Sequence, residues 1–186
     1  MFGRLTGMAM LALLLATAAQ AEPPKEKYCN GRPKVFKGLR MYPNGRPIQI
    51  GEIYLYPNGQ PTQDEDDSLL YPNGRRLVAD GFALYPNGRF MWAEGVSYYP
   101  NRIFLFKDGV FHDRQGNPVK EPVSTISLKL KGYIYDFAVV DRVPSQDRIR
   151  VTFVDTVVVT AFTLDKGVIS DVTAECAPGA FPTPKN

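Results

Sequence analysis

The chain has 186 residues, 44% hydrophobic and 22% charged, with 16 Gly, 16 Pro, 10 Tyr, 11 Phe, two Cys and one His. That is globular composition, too apolar and aromatic for a disordered tail, and the length suits one domain or a repeat array with a small domain. Lys plus Arg exceed Asp plus Glu by only 22 to 19, which excludes the bulk basic charge of most nucleic-acid binders, and one His with two Cys leaves little for a metal site, cofactor or thiol enzyme.

The first segment reads as an export signal. Arg4 supplies a positive start, Met8 to Thr17 an apolar core, and Ala19-Gln20-Ala21 the small-x-small pattern of a signal-peptidase site. The apolar run is shorter than the roughly 20 residues of a spanning helix, so it is not a retained anchor. No Cys follows the run, which excludes lipid attachment there. Residues 1–21 are therefore expected to be a signal peptide, and the mature protein, 186 − 21 = 165 residues from Glu22, to be periplasmic or secreted and not membrane-spanning. Export favours one disulfide between Cys29, in an N-terminal segment 22–37, and Cys176, over two free thiols or a catalytic thiol. On the entropic model that loop restricts the unfolded chain by roughly 4–5 kcal/mol.

The centre, residues 38–117, is a repeat. Tyr42-Pro-Asn-Gly-Arg46, Tyr56-Pro-Asn-Gly-Gln60, Tyr71-Pro-Asn-Gly-Arg75 and Tyr85-Pro-Asn-Gly-Arg89 are nearly identical, and Tyr99-Pro-Asn-Arg102 is a copy without its Gly. The tyrosines lie 14, 15, 14 and 14 residues apart, the extra residue falling within Thr62–Ser68. Pro presets the first loop position, Asn tolerates the second, and Gly supplies a left-handed third. These requirements define a type I turn closed by a glycine bulge, hence a hairpin. Alternating apolar residues on either side make short strands, with Gly38, Gly81 and Gly95 where one hairpin hands over to the next. In that register the apolar residues before and after the turn fall on opposite faces, so one face needs a cover, and the C-terminal region is the obvious one.

Phe106-Lys-Asp-Gly-Val110 and Asp113-Arg-Gln-Gly-Asn117 continue the turns in decayed form. Residues 123–176 are rich in β-branched and aromatic residues, with turns at Asp141–Asp147 and Asp165–Gly167, and read as four or five longer antiparallel strands. Residues 177–186 read as an extended tail. The fold class expected is all-β: an antiparallel meander of short repeated hairpins followed by a small antiparallel β region.

The Tyr-Pro-Asn-Gly-Arg turn with its short strand and Gly resembles the bacterial variant of the MORN repeat over roughly residues 38–117, although the 14-residue spacing differs from that family's. The resemblance implies a β-meander used for contacts with proteins or membranes and no catalytic residues.

Other motifs are weak. His112-Asp113 has no nucleophile motif beside it and reads as solvated. Asp64-Glu65-Asp66-Asp67 offers oxygen ligands for Ca²⁺ but lacks the alternating spacing and Gly of a calcium loop, which favours a solvated turn. The strands are about half the length needed for a transmembrane barrel.

Two function classes remain. One is a non-enzymatic exported module that contacts a protein or envelope component. The other is a carbohydrate- or peptidoglycan-binding module using exposed Tyr and Trp92; nucleic acid is not an expected partner. In both, the candidate surface comprises Tyr42, Arg46, Tyr56, Tyr71, Arg75, Tyr85, Arg89, Trp92 and Tyr99. Tyr42–Arg46, Tyr71–Arg75 and Tyr85–Arg89 are expected to face each other across their hairpins, as cation–π glue or as a row that a partner contacts.

Overall fold

A computed structural model describes residues 26–180; the expected signal segment 1–21 and residues 181–186 of the tail lie outside the described residues. The turn forms as its chemistry dictates. Tyr42 N–H donates to Arg46 O at 2.7 Å and Gly45 N–H to Tyr42 O at 2.9 Å, with Gly45 at φ +83°. The same two bonds recur at Tyr56, Tyr71, Tyr85 and Tyr99.

They also recur at Tyr28-Cys-Asn-Gly-Arg32 and at Asp113–Asn117. Among the described residues the array therefore begins at Tyr28, inside the N-terminal segment expected from the sequence, and has seven such turns along this edge. Cys29 replaces proline in the first because a type I turn needs only a φ near −60° there, which any residue adopts.

About midway between turns the chain reverses again, at Lys37-Gly38, Gly51-Glu52, Asp80-Gly81, Glu94-Gly95 and Asp108-Gly109. Four of these five place a left-handed residue before a left-handed Gly, the type I′ geometry that suits strand twist. They join short strands: β1 (Val35–Phe36) to β2 (Leu39–Arg40), β3 (Gln49–Ile50) to β4 (Ile53–Tyr54), and β5 (Val78–Ala79) to β6 (Phe82–Ala83). β7 (Trp92–Ala93), β8 (Val96–Tyr98), β9 (Phe104–Lys107), β10 (Val110–His112) and β11 (Pro118–Val119) form a five-stranded sheet in chain order. In the unit after Tyr56 the second reversal is a three-residue turn, Asp64 N–H to Ser68 O at 3.0 Å, with Asp67 at φ +58° in the bulge position. One more loop residue accounts for the 15-residue spacing.

Consecutive turns are stitched along the array. Tyr28 Oη donates to Met41 O, Tyr42 to Leu55 O, Tyr56 to Leu70 O, Tyr71 to Leu84 O, Tyr85 to Tyr98 O and Tyr99 to His112 O, at 2.6–2.9 Å. Beside them Asn30, Asn44, Asn58, Asn73 and Asn87 donate Nδ2 to the carbonyl of the next turn's proline, and Asn101 to Arg114 O. Each Asn Oδ1 accepts from the backbone N–H two residues on, closing its own turn. A buried hydroxyl or amide left unpaired costs about 1–3 kcal/mol, so the row of bonds is what permits the row of buried tyrosines.

The covering layer is a five-stranded antiparallel sheet in chain order: β12 (Thr125–Leu130), β13 (Tyr133–Val140), β14 (Val143–Val154), β15 (Val158–Asp165) and β16 (Val168–Cys176). Ile126, Tyr135, Phe137, Ile149, Val151, Phe162, Leu164 and Ile169 fill its inner face and join the repeat tyrosines in one core. Phe162 lies 6.1 Å from the rings of both Tyr42 and Tyr56, Tyr135 lies 5.8 Å from Tyr71, and Phe137 lies 5.3 Å from Tyr85. The chain bends at Ile48, Thr62, Leu77 and Met91 and buries all four, while Leu39, Ile50 and Ile53 of the expected apolar rows stay on the outward side. The turn expected across Asp141–Asp147 occupies only Asp141-Arg142, and β14 starts at once with a register shift opposite Phe137 and Val139. The tail begins with a turn, Ala180 N–H to Ala177 O.

The sheet runs back over the array. β12 lies beside the last repeats, where Arg114 Nη2 approaches Ser127 O at 3.4 Å, and β16 ends at the first, where Cys176 is bonded to Cys29 with Cα atoms 5.9 Å apart. The bond pins the first turn to the last strand. Replacing both cysteines by serine should lower stability by roughly 4–5 kcal/mol, and amide exchange should show protection lost first between Tyr28 and Met41. Uniform loss along the chain would contradict this end-pinning.

Candidate functional surface

The strands run between two kinds of turn, so the array has two edges. Arg32, Arg46, Arg75, Arg89, Arg102 and Arg114 line the edge made by the tyrosine turns and their Asp113 counterpart. The opposite edge carries Glu52, Glu65, Asp66, Asp67, Asp80, Glu94 and Asp108, against Lys37, Lys107 and the Arg76 guanidinium that pairs with Asp64 and Asp66. One side of the layer is therefore cationic and the other anionic, a separation that a net charge of +3 conceals.

The expected Tyr–Arg side-chain pairs do not form. Backbone pairing is as expected, but the guanidinium groups point along the array. Arg32 Nη1 donates to Asn44 O at 2.5 Å, Arg46 Nη1 to Asn58 O, and Arg89 Nη1 to Pro100 O at 2.9 Å. Arg75 lies against Gly88 of the next turn. Tyr42, Tyr56, Tyr71, Tyr85 and Tyr99 are at most 1% exposed. They belong to the core and present no face to a partner, because their hydroxyls find acceptors only inside. Of the candidate residues, Arg46, Arg75 and Trp92 are exposed and Arg89 is half-buried.

Burial pushes the Tyr42, Tyr56, Tyr71, Tyr85 and Tyr135 hydroxyls well above the ordinary value of 10.0, and that of Tyr133 up to about 12. The acidic turn is built into the fold as well. Desolvation opposes ionisation of Asp64, but the N–H groups of Ser68 and Asp66 and the Arg76 guanidinium, 2.8 Å away, hold its carboxyl below the usual value. Asp113 is lowered by Asn117 in the same way. A cleft of about 740 Å³ beside Asp64–Asp67 also contains Arg76, Ile53 and Leu70. Among the described residues no group of three His, Cys, Asp or Glu side chains is placed to hold a metal ion.

His112 is half-buried, 6.4 Å from the Phe104 ring, rather than solvated. It belongs to an aromatic group on the last repeats. Phe82 lies 5.3 Å from Phe90, Tyr98 5.6 Å from Phe104, and Phe106 4.9 Å from Phe111, with Lys107 Nζ 4.6 Å above the Phe104 ring. Phe90, Trp92 and Phe104 are 48%, 39% and 37% exposed. The signal for this group lay in the fifth position after each tyrosine, which is Pro33, Pro47, Pro61 and Arg76 and then Phe90 and Phe104. Two clefts flank Arg89: one of about 260 Å³ with Gly88, Phe90, Tyr98 and Arg102, and one of about 320 Å³ with Tyr99, Arg114, Ser127 and Lys129 among its walls.

No family model, curated protein or solved structure matches the chain.

The raised tyrosine values give the fold an alkaline limit. The unfolded chain releases these protons near pH 10 and the folded one only at higher pH. The folded state then holds more protons, and stability falls as pH rises from about 10. Absorbance near 295 nm should show the core tyrosines ionising together with loss of structure. Ionisation of all ten tyrosines near pH 10 in an intact fold would contradict their burial.

Proposed function

We propose that the chain is an exported β-repeat protein that works by contact, with the outward side of its array as the contact surface for a protein or envelope component. The observation that carries this reading is the division of the array's side chains. Tyrosines are turned inward, while Val35, Phe36, Leu39, Ile50, Ile53, Val78, Phe90 and Trp92 remain 39–56% exposed. So much apolar area on one layer is characteristic of interaction sites. Its carboxylates support the same reading, since Asp64 and Asp113 are engaged in closing turns rather than converging in a cleft. The resemblance to MORN repeats points the same way, and the Cys29–Cys176 bond is compatible with an oxidising compartment.

A glycan-binding reading gains from Phe90, Trp92 and Phe104 what it loses with the buried tyrosines.

Material recovered outside the cytoplasm should have the intact mass of a chain starting at Glu22. Immobilised, it should retain an envelope component that an Ile50→Asp/Ile53→Asp variant of equal thermal stability does not. Equal retention by both would remove the array's outer side as the contact surface, and a retained 1–21 segment would remove export with cleavage.

A further inference from the structure

Six of the seven tyrosine-type turns end with Gly in the left-handed position: Gly31, Gly45, Gly59, Gly74, Gly88 and Gly116, at φ between +78° and +92°. The remaining turn places Arg102 there, at φ +73°. A residue with a Cβ is strained in this region, and Arg102 shares that backbone with Asp67 in the bulge position of the Asp64–Ser68 turn. Arg102 is exposed and, among the described residues, in no ion pair. It closes the 260 Å³ cleft whose other walls are Gly88, Arg89, Phe90 and Tyr98. A guanidinium in no ion pair and a concave aromatic site therefore coincide at the one tyrosine turn that lacks its glycine.

The chemistry of the cleft is specific. Two arginines and two aromatic residues line it, and no carboxylate does. Arg89 is held in place by its bond to Pro100 O and keeps further N–H donors, so its fork is ordered before a ligand arrives. The cationic surface continues around Arg89 into the 320 Å³ cleft with Arg114 and Lys129, where again no carboxylate appears. Flat aromatic faces accept the C–H-rich face of a pyranose ring, and a guanidinium fork accepts a carboxylate or phosphate on that ring. Extension from one cleft to the next suits a chain of sugars rather than a single small anion. The apolar Ile50 and Ile53 flank the Gly51-Glu52 turn on the opposite, acidic edge, so a bilayer lying on the arginine edge would not meet them.

We propose that the cleft between Arg89 and Arg102 binds an acidic glycan, its sugar ring on Phe90 and Tyr98 and its anionic group between the two guanidiniums. This rests on the contact-module reading and names the ligand class of one part of that surface.

The test is calorimetric titration of the mature, disulfide-bonded protein with four probes: an oligogalacturonate, a phosphorylated mannan oligomer, a neutral galactan oligomer and an oligothymidine. At least one acidic glycan should bind at least about tenfold more tightly than the neutral one, and which of the two does so distinguishes carboxylate from phosphate. Arg102→Gly restores the repeat's own residue, so it should keep or raise the melting temperature while weakening binding about tenfold or more. Phe90→Ala should weaken it too, and Arg150→Gln, on the outer face of the covering sheet, should leave it unchanged. Failure of both acidic glycans to bind, equal binding of the neutral oligomer, tighter binding of oligothymidine, or an Arg102→Gly protein that binds as wild type would each overturn the proposal. If it is overturned while the Ile50/Ile53-dependent retention persists, the broader contact reading survives; loss of both removes both.

Discussion

A tyrosine hydroxyl buried in an apolar layer is costly without an acceptor, and each tyrosine of the repeat turns finds one on the next repeat. Six hydroxyls in succession reach carbonyls 13 or 14 residues further along the chain. That requirement fixes the period more firmly than turn preference does. Where the spacing lengthens, between Tyr56 and Tyr71, the additional residue is taken up at the far edge by the Asp64–Ser68 turn, and Tyr56 still reaches Leu70 O at 2.6 Å. The asparagines repeat the arrangement one step nearer the surface, with Pro carbonyls as acceptors. Proline suits that place because it offers a carbonyl and no N–H needing a partner.

Hydrogen bonds along the array leave its inner side apolar, which is why a second layer is needed. The five-stranded sheet supplies Phe162, Tyr135 and Phe137 against the tyrosine rings, and its β13–β14 end is tied to the array by polar contacts. Gln146 Nε2 donates to Leu77 O and Leu84 O, and Ser97 Oγ to Arg142 O. Because the sheet folds back along the array, the two chain ends meet, and Cys29 and Cys176 lie where a disulfide closes the ring. Inward tyrosines and longitudinal arginines leave Phe90, Trp92, Phe104 and Arg102 exposed, together with the outward apolar row from Val35 to Val78.

Much of this was readable from the residues. Pro-Asn-Gly at fixed spacing dictated the turn, its glycine bulge and an all-β meander. The placement of apolar residues on both sides of the turn called for a covering layer, and two cysteines in a chain expected to be exported called for a pairing. Other features were not readable because they depend on neighbours a repeat away. Tyrosine is as much at home on a surface as in a core, and only the carbonyl 13 residues on decides for the core. Sequence proximity pairs Arg46 with its own Tyr42 across the hairpin, whereas the acceptor it reaches, Asn58 O, belongs to the following turn. Tyr28-Cys-Asn-Gly-Arg32 does not read as a repeat because Cys29 stands in the proline position, and the acidic edge is not legible because, apart from Glu65–Asp67, each of its members sits alone in its own reversal.

The account rests on the tyrosine hydroxyl bonds, and denaturant unfolding of a Tyr56→Phe protein tests them most directly, since only the oxygen is removed from a side chain with no exposed surface. The predicted result is a single transition with stability lowered by about 1–3 kcal/mol. A variant as stable as the wild type would show that ring packing alone organises the array and would contradict the central claim.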